Sequence, residues 1–408
     1  MTGNTISLAE LQELSQGAAE ILPHGGLEAK LKAREGRPLR IKLGFDPTKP
    51  DLHIGHAVVL HALRRFQAHG HHVIVIIGDF TARIGDPTGK DVTRPPLSPE
   101  EVSENAKTYL EQLGLILDLS RTEVRYNSEW LDAMTLSDGI KLAAQTTVAQ
   151  MLARDNFSKR FERNDPIALH EFLYPLLQGY DSVAIAADIE LGGTDQRFNV
   201  LMGRQIQESY GKDPQIVMVY PILEGTDGVQ KMSKSLGNTI GLTDLPEDMY
   251  GKVMSIPDSL LENYFRLASG MPLHELTPML ARLQSGELHP RDAKMQLARS
   301  IVQQYHGSEG AKKGEEAFIR QFQQHQLPED LPEIRLEAES MPLATLLVQA
   351  KLTSTSSEAR RLVQQGGVKI HRQGEPEIMS DPLAPVMLEA TGFVLQVGKR
   401  RFARILRG

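Results

Sequence analysis

The stretch from Leu39 to Phe80 most constrains what this chain can fold into. "LRIKLGF" (39–45) alternates apolar and polar residues in the manner of a strand. "LHIGHAVVLHALRRFQAHG" follows, with Ile54, Val58, Ala62 and Phe66 at helical spacing and Gly70 as a C-terminal stop. "HHVIVIIGDF" then gives a short apolar run of the kind buried on both faces of a parallel sheet. Strand, helix and strand in this order form a crossover between parallel strands, so residues 35–244 are expected to be a doubly wound, Rossmann-like α/β domain that binds a nucleotide. A second such unit is expected around "VAIAADIELGGTDQRFNVLMGRQIQESYG" (183–211) and "QIVMVYPIL" (215–223). Between the two, helical patterns dominate an insert over about 110–165, of the kind that serves substrate binding or pairing of subunits.

The 408 residues exceed what one compact core organises. Residues 1–34 read as a helical segment and 245–325 as a helical domain. The proline- and acid-rich "LPEDLPEIRLEAESMP" suggests a linker over 326–340, and 341–408 a small α+β unit. The net charge of −7 conceals an asymmetry. Residues 341–408 hold 10 Lys+Arg against 5 Asp+Glu, which leaves 35 against 47 in the remainder. A basic end on an acidic body points to a polyanionic partner, although solvated charge would give the same composition. There are no cysteines, which excludes disulfides, thiolate metal sites and cysteine nucleophiles. No apolar run approaches the length of a membrane span, and the N-terminus lacks a basic start followed by an apolar block. A cytoplasmic protein is expected.

"LGFDPTKPDLHIGHAVVL" (43–60) carries the first chemical signal. Asp51 behind Pro50 is a candidate N-cap, which would start the helix near Leu52 and aim its first-turn amides at an anion. His53 and His56 would share one face of that turn, with Gly55 leaving room for a ligand and Thr48 adding a hydroxyl. Partly buried histidines without a function would fit the stretch equally well. A zinc site with His61, His69, His71 and His72 lacks a carboxylate or cysteine to complete it. The second signal is "KMSKS" (231–235), a cationic loop flanked by glycines that could close over pyrophosphate.

"HIGH" and "KMSKS", in this order within an α/β pattern, resemble the class I aminoacyl-tRNA synthetases. "GDFTARIGDPTGK" (78–90), "YPLLQGYDS" (174–182) and "GGTDQRFN" (192–199) resemble the tyrosyl-tRNA synthetase family in particular, and the likeness runs through essentially the whole chain. The resemblance implies catalytic roles for His53, His56, Thr48, Lys231 and Lys234. It implies ATP contacts from Asp46, Gly55, Asp195, Met232, Ser233 and Lys234, and a pyrophosphate contact from Lys90. A tyrosine pocket needs an acceptor for the phenolic hydroxyl, a role that fits Asp181, and partners for the ammonium group, which fit Asp86, Tyr174 and Gln178. Gln196 is implied near the substrate carboxyl. Tyrosyl enzymes are the established case of discrimination by a hydroxyl partner, about 10⁵-fold over phenylalanine without editing. Many relatives carry a tyrosine at position 42, where it helps bind the phenol; Lys42 here matches a second bacterial subgroup, and Glu190 stands where some relatives have glutamine.

"PLATLLVQAKLTSTSSEARRLVQQGGVKIHRQ" (342–373) resembles the small RNA-binding domain first named in a ribosomal small-subunit protein. Ser356 or Ser357 would cap its second helix, which would present Arg360 and Arg361 beside Lys369 to tRNA. The implied partners are tRNA(Tyr), L-tyrosine and ATP with Mg, a second copy of the chain, and the anticodon arm for the helical domain at 245–325. No metal held by the protein itself is implied. A tryptophanyl enzyme, a catalytically dead RNA-binding relative and another nucleotidyltransferase are the rival readings.

Overall fold

The computed structural model describes residues 7–48, 51–87, 98–322, 331–372, 376–389, 392–398 and 401–408. The chain divides into two compact units, Met1–Phe318 and Ile319–Gly408.

The first unit opens with α1 (Leu8–Ser15), β1 (Glu20–Leu22), α2 (Gly26–Ala33), β2 (Arg40–Phe45), α3 (Ile54–Ala68), β3 (His72–Ile77), α4 (Pro99–Leu113) and β4 (Thr122–Tyr126). Five helices follow, α5 (Ser128–Leu131), α6 (Leu136–Ala143), α7 (Val148–Leu152), α8 (Asp155–Glu162) and α9 (Leu169–Ala184), then β5 (Ile189–Gly193), α10 (Arg197–Ser209) and β6 (Ile216–Tyr220). The six strands lie in the order β1-β6-β5-β2-β3-β4. All neighbours are parallel except β1, which runs antiparallel on β6. The strand order reverses between β2 and β5, and the crevice outside the carboxyl ends of such a pair is where doubly wound sheets bind ligands.

Alternation along the strands sorts the two faces. Ile41, Leu43, Val73, Val75, Ile77, Ile189 and Leu191 join Ala57, Val58 and Leu60 of α3 in one core. On the opposite face Ile74 and Ile76 pack with Ile185 and Ala187, and Val217 and Val219 with Val200 of α10. Each fully buried Val or Ile contributes roughly 1.5–3 kcal/mol, so the sheet is the anchor of the unit. Helices α11 (Pro246–Met254), α12 (Leu261–Ala268), α13 (Leu273–Gln284) and α14 (Pro290–Phe322) complete it. Gly307, at φ 69°, breaks the last into two helical stretches. Tyr250, Tyr264, Phe265 and Ile301 share the core of α3, so the helical region is packed on the α/β domain rather than tethered to it.

The second unit contains β7 (Glu333–Leu336), β8 (Ser340–Pro342), α15 (Leu343–Gln349), α16 (Ser356–Gln364), β9 (Val368–His371), β10 (Glu377–Met379), β11 (Pro385–Met387), β12 (Phe393–Val397) and β13 (Arg401–Arg407). Five strands form a sheet in the order β10-β9-β12-β13-β7, and β11 pairs with β8. Leu343, Leu346, Leu347, Ala359, Val363, Ile370, Leu395 and Ile405 form its core.

Several local expectations change. The expected linker over 326–340 is structured where it is described, from 331: β7 pairs in parallel with β13, and β8 with β11, and Ile334, Leu336 and Ala338 pack on the small core. The helical insert contains β4, an edge strand of the main sheet paired along its length with β3, and the N-terminal segment contributes β1. The N-cap of α3 is His53, not Asp51, because Ile54 N–H is taken by Ile240 O at 3.0 Å and the chain stays extended through His53. Thr355, rather than Ser356 or Ser357, caps α16 by accepting from Glu358 N–H at 3.2 Å.

Candidate active site

The loop after β2 and the start of α3 meet the loop after β6 at the sheet's reversal point. Segment 240–242 binds this turn through Ile54 N–H to Ile240 O and Leu242 N–H to Leu52 O, at 3.0 and 3.2 Å. The His53 and His56 rings lie 3.9 Å apart at an interplanar angle of 30°. His53 N–H donates to His56 Nδ1 at 3.3 Å, which leaves the proton of the neutral imidazole on Nε2. Burial pushes the His56 pKa down to about 4, so near pH 7 this ring is a neutral donor. A Cβ at Gly55 would lie 2.9 Å from the His53 ring and 3.6 Å from Met232 Cβ. Glycine at position 55 therefore makes room for the His53 ring, while Met232 of the other signature segment lies at ordinary contact distance.

The lysine loop is tied at its ends. Met232 N–H donates to Leu223 O at 3.0 Å, and Ser233 N–H to Asn238 Oδ1 at 2.8 Å. Ser233 and Ser235 hydroxyls are 2.9 Å apart. Lys234 reaches Asp51, the residue first expected to cap the helix. Lys231 acts on Asp195, whose carboxyl burial lifts above its ordinary range while the lysine pulls it back.

Behind this cationic mouth lies a string of polar groups. Asp46 accepts from the Thr81 hydroxyl at 2.7 Å and from the Tyr174 hydroxyl at 2.8 Å. A Cβ at Gly78 would fall 2.1 Å from Asp46 Oδ1, so the "GDF" glycine makes room for that carboxylate. Asn127 Nδ2 donates to Thr81 Oγ1 at 3.1 Å and to Asp181 Oδ2 at 3.4 Å, and Trp130 Nε1 donates to Asp181 Oδ1 at 2.8 Å. Asp181 is buried, and desolvation raises its pKa to about 7 against the pull of Lys42 and these two donors. Burial, then Asp46, raises the Tyr174 phenol well above its ordinary value, so it stays protonated and donates. Gln196 Nε2 donates to Asp86 Oδ2 at 2.7 Å, and buried Arg154 lies 3.6 Å from Asp86 Oδ1. The Gln178 side-chain oxygen is buried with no hydrogen-bond partner, an acceptor waiting for a donor.

Most residues singled out in the sequence thus converge at the reversal point: Asp46, His53, Gly55, His56, Asp86, Tyr174, Asp181, Asp195, Gln196 and the lysine loop. Thr48 lies beside them, half-buried, its N–H bonded to Asp46 O at 2.7 Å. Lys90 lies outside the described residues. Lys42 does not face the mouth; it is fully buried on the far face of β2 in an ion pair with Glu190 at 2.9 Å. Sequence reasoning missed Thr81, Asn127, Trp130 and Arg154. Asn127 and Trp130 follow the unforeseen strand β4, whose position alone brings them to Asp181. In the second unit Arg360 and Arg361 are exposed on α16, Lys369 is half-buried on β9, and Lys351 and Arg401 add exposed charge.

A doubly wound sheet whose reversal point gathers a paired-histidine helix start and a Lys-Met-Ser-Lys-Ser loop defines a class I aminoacyl-tRNA synthetase core. A family model described as tRNA synthetases class I (W and Y) matches residues 34–323, and the chain belongs to that family. An S4 domain model matches residues 341–370. Among curated relatives, a tyrosine–tRNA ligase of Moorella thermoacetica is 55% identical over 97% of this chain and 95% of its own. Another, from Haemophilus influenzae, is 51% identical over 97% and 96%. Among solved structures, the tyrosyl-tRNA synthetase of Archaeoglobus fulgidus in complex with L-tyrosine superposes with a TM-score of 0.62 at 25% identity, covering 75% of this chain and 98% of that one.

Proposed function

We infer that this chain is a tyrosine–tRNA ligase, which activates L-tyrosine with ATP to tyrosyl-adenylate and pyrophosphate and then esterifies the 3′ end of tRNA(Tyr). One observation supports the reading of the site: beside the two signature segments a chain of hydrogen bonds runs from Tyr174 and Asp46 through Thr81 and Asn127 to the buried carboxylate of Asp181.

In the first step a carboxylate oxygen of tyrosine attacks the α-phosphorus of ATP and pyrophosphate leaves. The attacking group is already an anion, so no general base is needed, and catalysis consists of positioning and charge stabilisation. His56 Nε2–H donates to the phosphate as charge develops, with His53, Thr48, Lys231 and Lys234 beside it. Lys234 leaves Asp51 to do so. Gly55, Met232 and Ser233 line the adenine and phosphate path, Asp46 flanks it, and Asp195 holds the ribose. Lys90 contacts pyrophosphate. Mg enters with ATP as part of the substrate; among the described residues no group of three His, Cys, Asp or Glu side chains is arranged to hold a metal.

Asp181 accepts the phenolic proton. The ammonium group takes the Gln178 side-chain oxygen, Asp86 and Tyr174, and Gln196 lies by the carboxyl. The S4-type unit binds tRNA through Arg360, Arg361 and Lys369, and helices α11–α14 meet the anticodon arm. The enzyme works in the cytoplasm as a homodimer: the insert and the start of α9 expose Leu136, Ile140, Val148, Phe161 and Leu169, an apolar set that suits a second copy. Charging of tRNA(Tyr) with labelled tyrosine tests the reading. Acid-stable incorporation of tyrosine and not tryptophan is the expected result, and incorporation of tryptophan alone would overturn it.

A further inference from the structure

A lysine and a glutamate stand opposite each other in the middle of the sheet. Lys42 of β2 and Glu190 of β5 are register partners at the reversal point, on the face that otherwise presents Ile74, Ile76, Val217 and Val219. Their side chains are 0% and 1% exposed. The three protons of the Lys42 ammonium are all used: Glu190 Oε1 at 2.9 Å, Gln178 O at 2.9 Å and Ser182 Oγ at 2.8 Å. Ser182 Oγ donates onward to Glu190 Oε2 at 3.1 Å, and Gln215 Nε2 donates to the same oxygen. Gln207 Oε1 accepts from Gln215 N–H at 2.7 Å, and its Nε2 donates to Ser182 O and Ala187 O at 3.1 and 2.9 Å. The cluster fits because α10 offers no side chain there. A Cβ on Gly203 would lie 2.6 Å from Gln215 Nε2, 2.9 Å from Glu190 Oε2 and 3.0 Å from Ser182 Oγ.

No proton of Lys42 remains for a substrate hydroxyl. What Lys42 holds is the turn of α9 between Gln178 and Ser182, the turn that carries Asp181. We propose that Lys42 and Glu190 act as one unit of two positioning residues, which fixes the Gln178–Asp181 turn and sets the charge behind Asp181, in place of a direct contact from position 42 to the phenol. The proposal rests on the tyrosine reading of the site. The groups that face Asp181 are Lys42 from β2, Glu190 from β5, Tyr174 from its own helix, and the neutral donors Asn127 and Trp130. Lys42 favours the ionised form that accepts the phenolic proton; Glu190 opposes it more weakly.

The test compares the full-length chain with E190Q and the double variant K42M/E190Q, by tyrosine-dependent pyrophosphate exchange from about pH 6 to about pH 9. In the original chain the KM for tyrosine should rise as the pH falls through about 7, the pKa of Asp181. E190Q removes only the opposing charge, so this rise should move to lower pH. K42M/E190Q removes the larger favourable charge, so the rise should move upward and KM for tyrosine near neutrality should increase about tenfold or more. KM for ATP should stay within about twofold in both variants, because the nucleotide lies at the other end of the site. A pair that only fills the core would leave tyrosine KM and its pH profile unchanged in both variants, and that result overturns the proposal. If the double variant does not fold, the downward shift in E190Q decides alone, and its absence is contradictory. An original chain that exchanges pyrophosphate with another amino acid and not tyrosine would instead refute the underlying function.

Discussion

Replacing His56 with alanine isolates the chemistry of the helix start from amino-acid binding. The neutral ring accepts His53 N–H through Nδ1 and so carries its proton on Nε2; on the proposed mechanism the substitution deletes one donor to the phosphate, and it orphans one helix-start amide. Loss of a donor aimed at developing charge costs about 3–4 kcal/mol of transition-state stabilisation, a rate loss of roughly 10²–10³. The orphaned amide costs the fold about 1 kcal/mol, too little to unfold the domain. Tyrosine affinity should change less than about twofold, because the Asp181 end of the pocket is untouched. Stopped-flow adenylate formation and equilibrium tyrosine binding separate these effects. The rate in the unsubstituted enzyme should show no dependence on a His56 charge between about pH 5 and pH 8, since the ring titrates near 4. Normal adenylation with collapsed tyrosine binding, or a rate at saturating tyrosine that falls as a group deprotonates near 6.5, would refute the reasoning.

Three further outcomes follow from the same geometry. Asp181→Asn keeps the shape but offers a donor where the phenol needs an acceptor; the lost charged hydrogen bond, about 1.5–3 kcal/mol, should lower kcat/KM for tyrosine by roughly 10- to 150-fold without a matching loss for phenylalanine, and an unchanged ratio in exchange assays would reject the assignment. A chain ending at Phe322 removes β7 together with its partner β13, unlike a cut near Leu336, and should retain pyrophosphate exchange while tRNA charging and the salt dependence of tRNA binding fall; full charging at moderate salt would contradict the role of the S4-type unit. His56, His61 and His71 are all held neutral by burial, with pKa values of about 4 against 6.5. Their contribution to stability is present above 6.5 and lost as the pH falls toward 4, up to roughly 3 kcal/mol each, while Asp181, raised to about 7, gives a smaller slope of opposite sign. Denaturant midpoints should therefore fall on acidification, and a midpoint that stays level from about pH 7 to about pH 5 would count against these assignments.

The crossover β2–α3–β3 and the two signature loops were legible because period and motif are local properties. What was not legible depends on partners far along the chain. "TEVRY" carries charge at alternate positions and reads as part of a helical insert, yet β3 pairs with it and thereby places Asn127 and Trp130. "EIL" is too short to announce a strand, and β6 alone makes it one. His53 caps α3 because Ile240 and Gly241 hold the turn from nearly two hundred residues away. Lys42 was visible as a departure and Glu190 as another, but only the strand register makes them a pair. Tyr174, Gln178 and Asp181 in "YPLLQGYDS" were named from the family resemblance, and their i, i+4 and i+7 spacing on α9 is that of one helix face.

The most direct test of the central claim is pyrophosphate exchange into ATP measured separately with each of the standard amino acids and without tRNA. The site described here predicts exchange that depends on tyrosine, is far weaker with phenylalanine, and is absent with tryptophan. Exchange driven equally by phenylalanine, or none with tyrosine in a folded chain that binds ATP, would contradict the account.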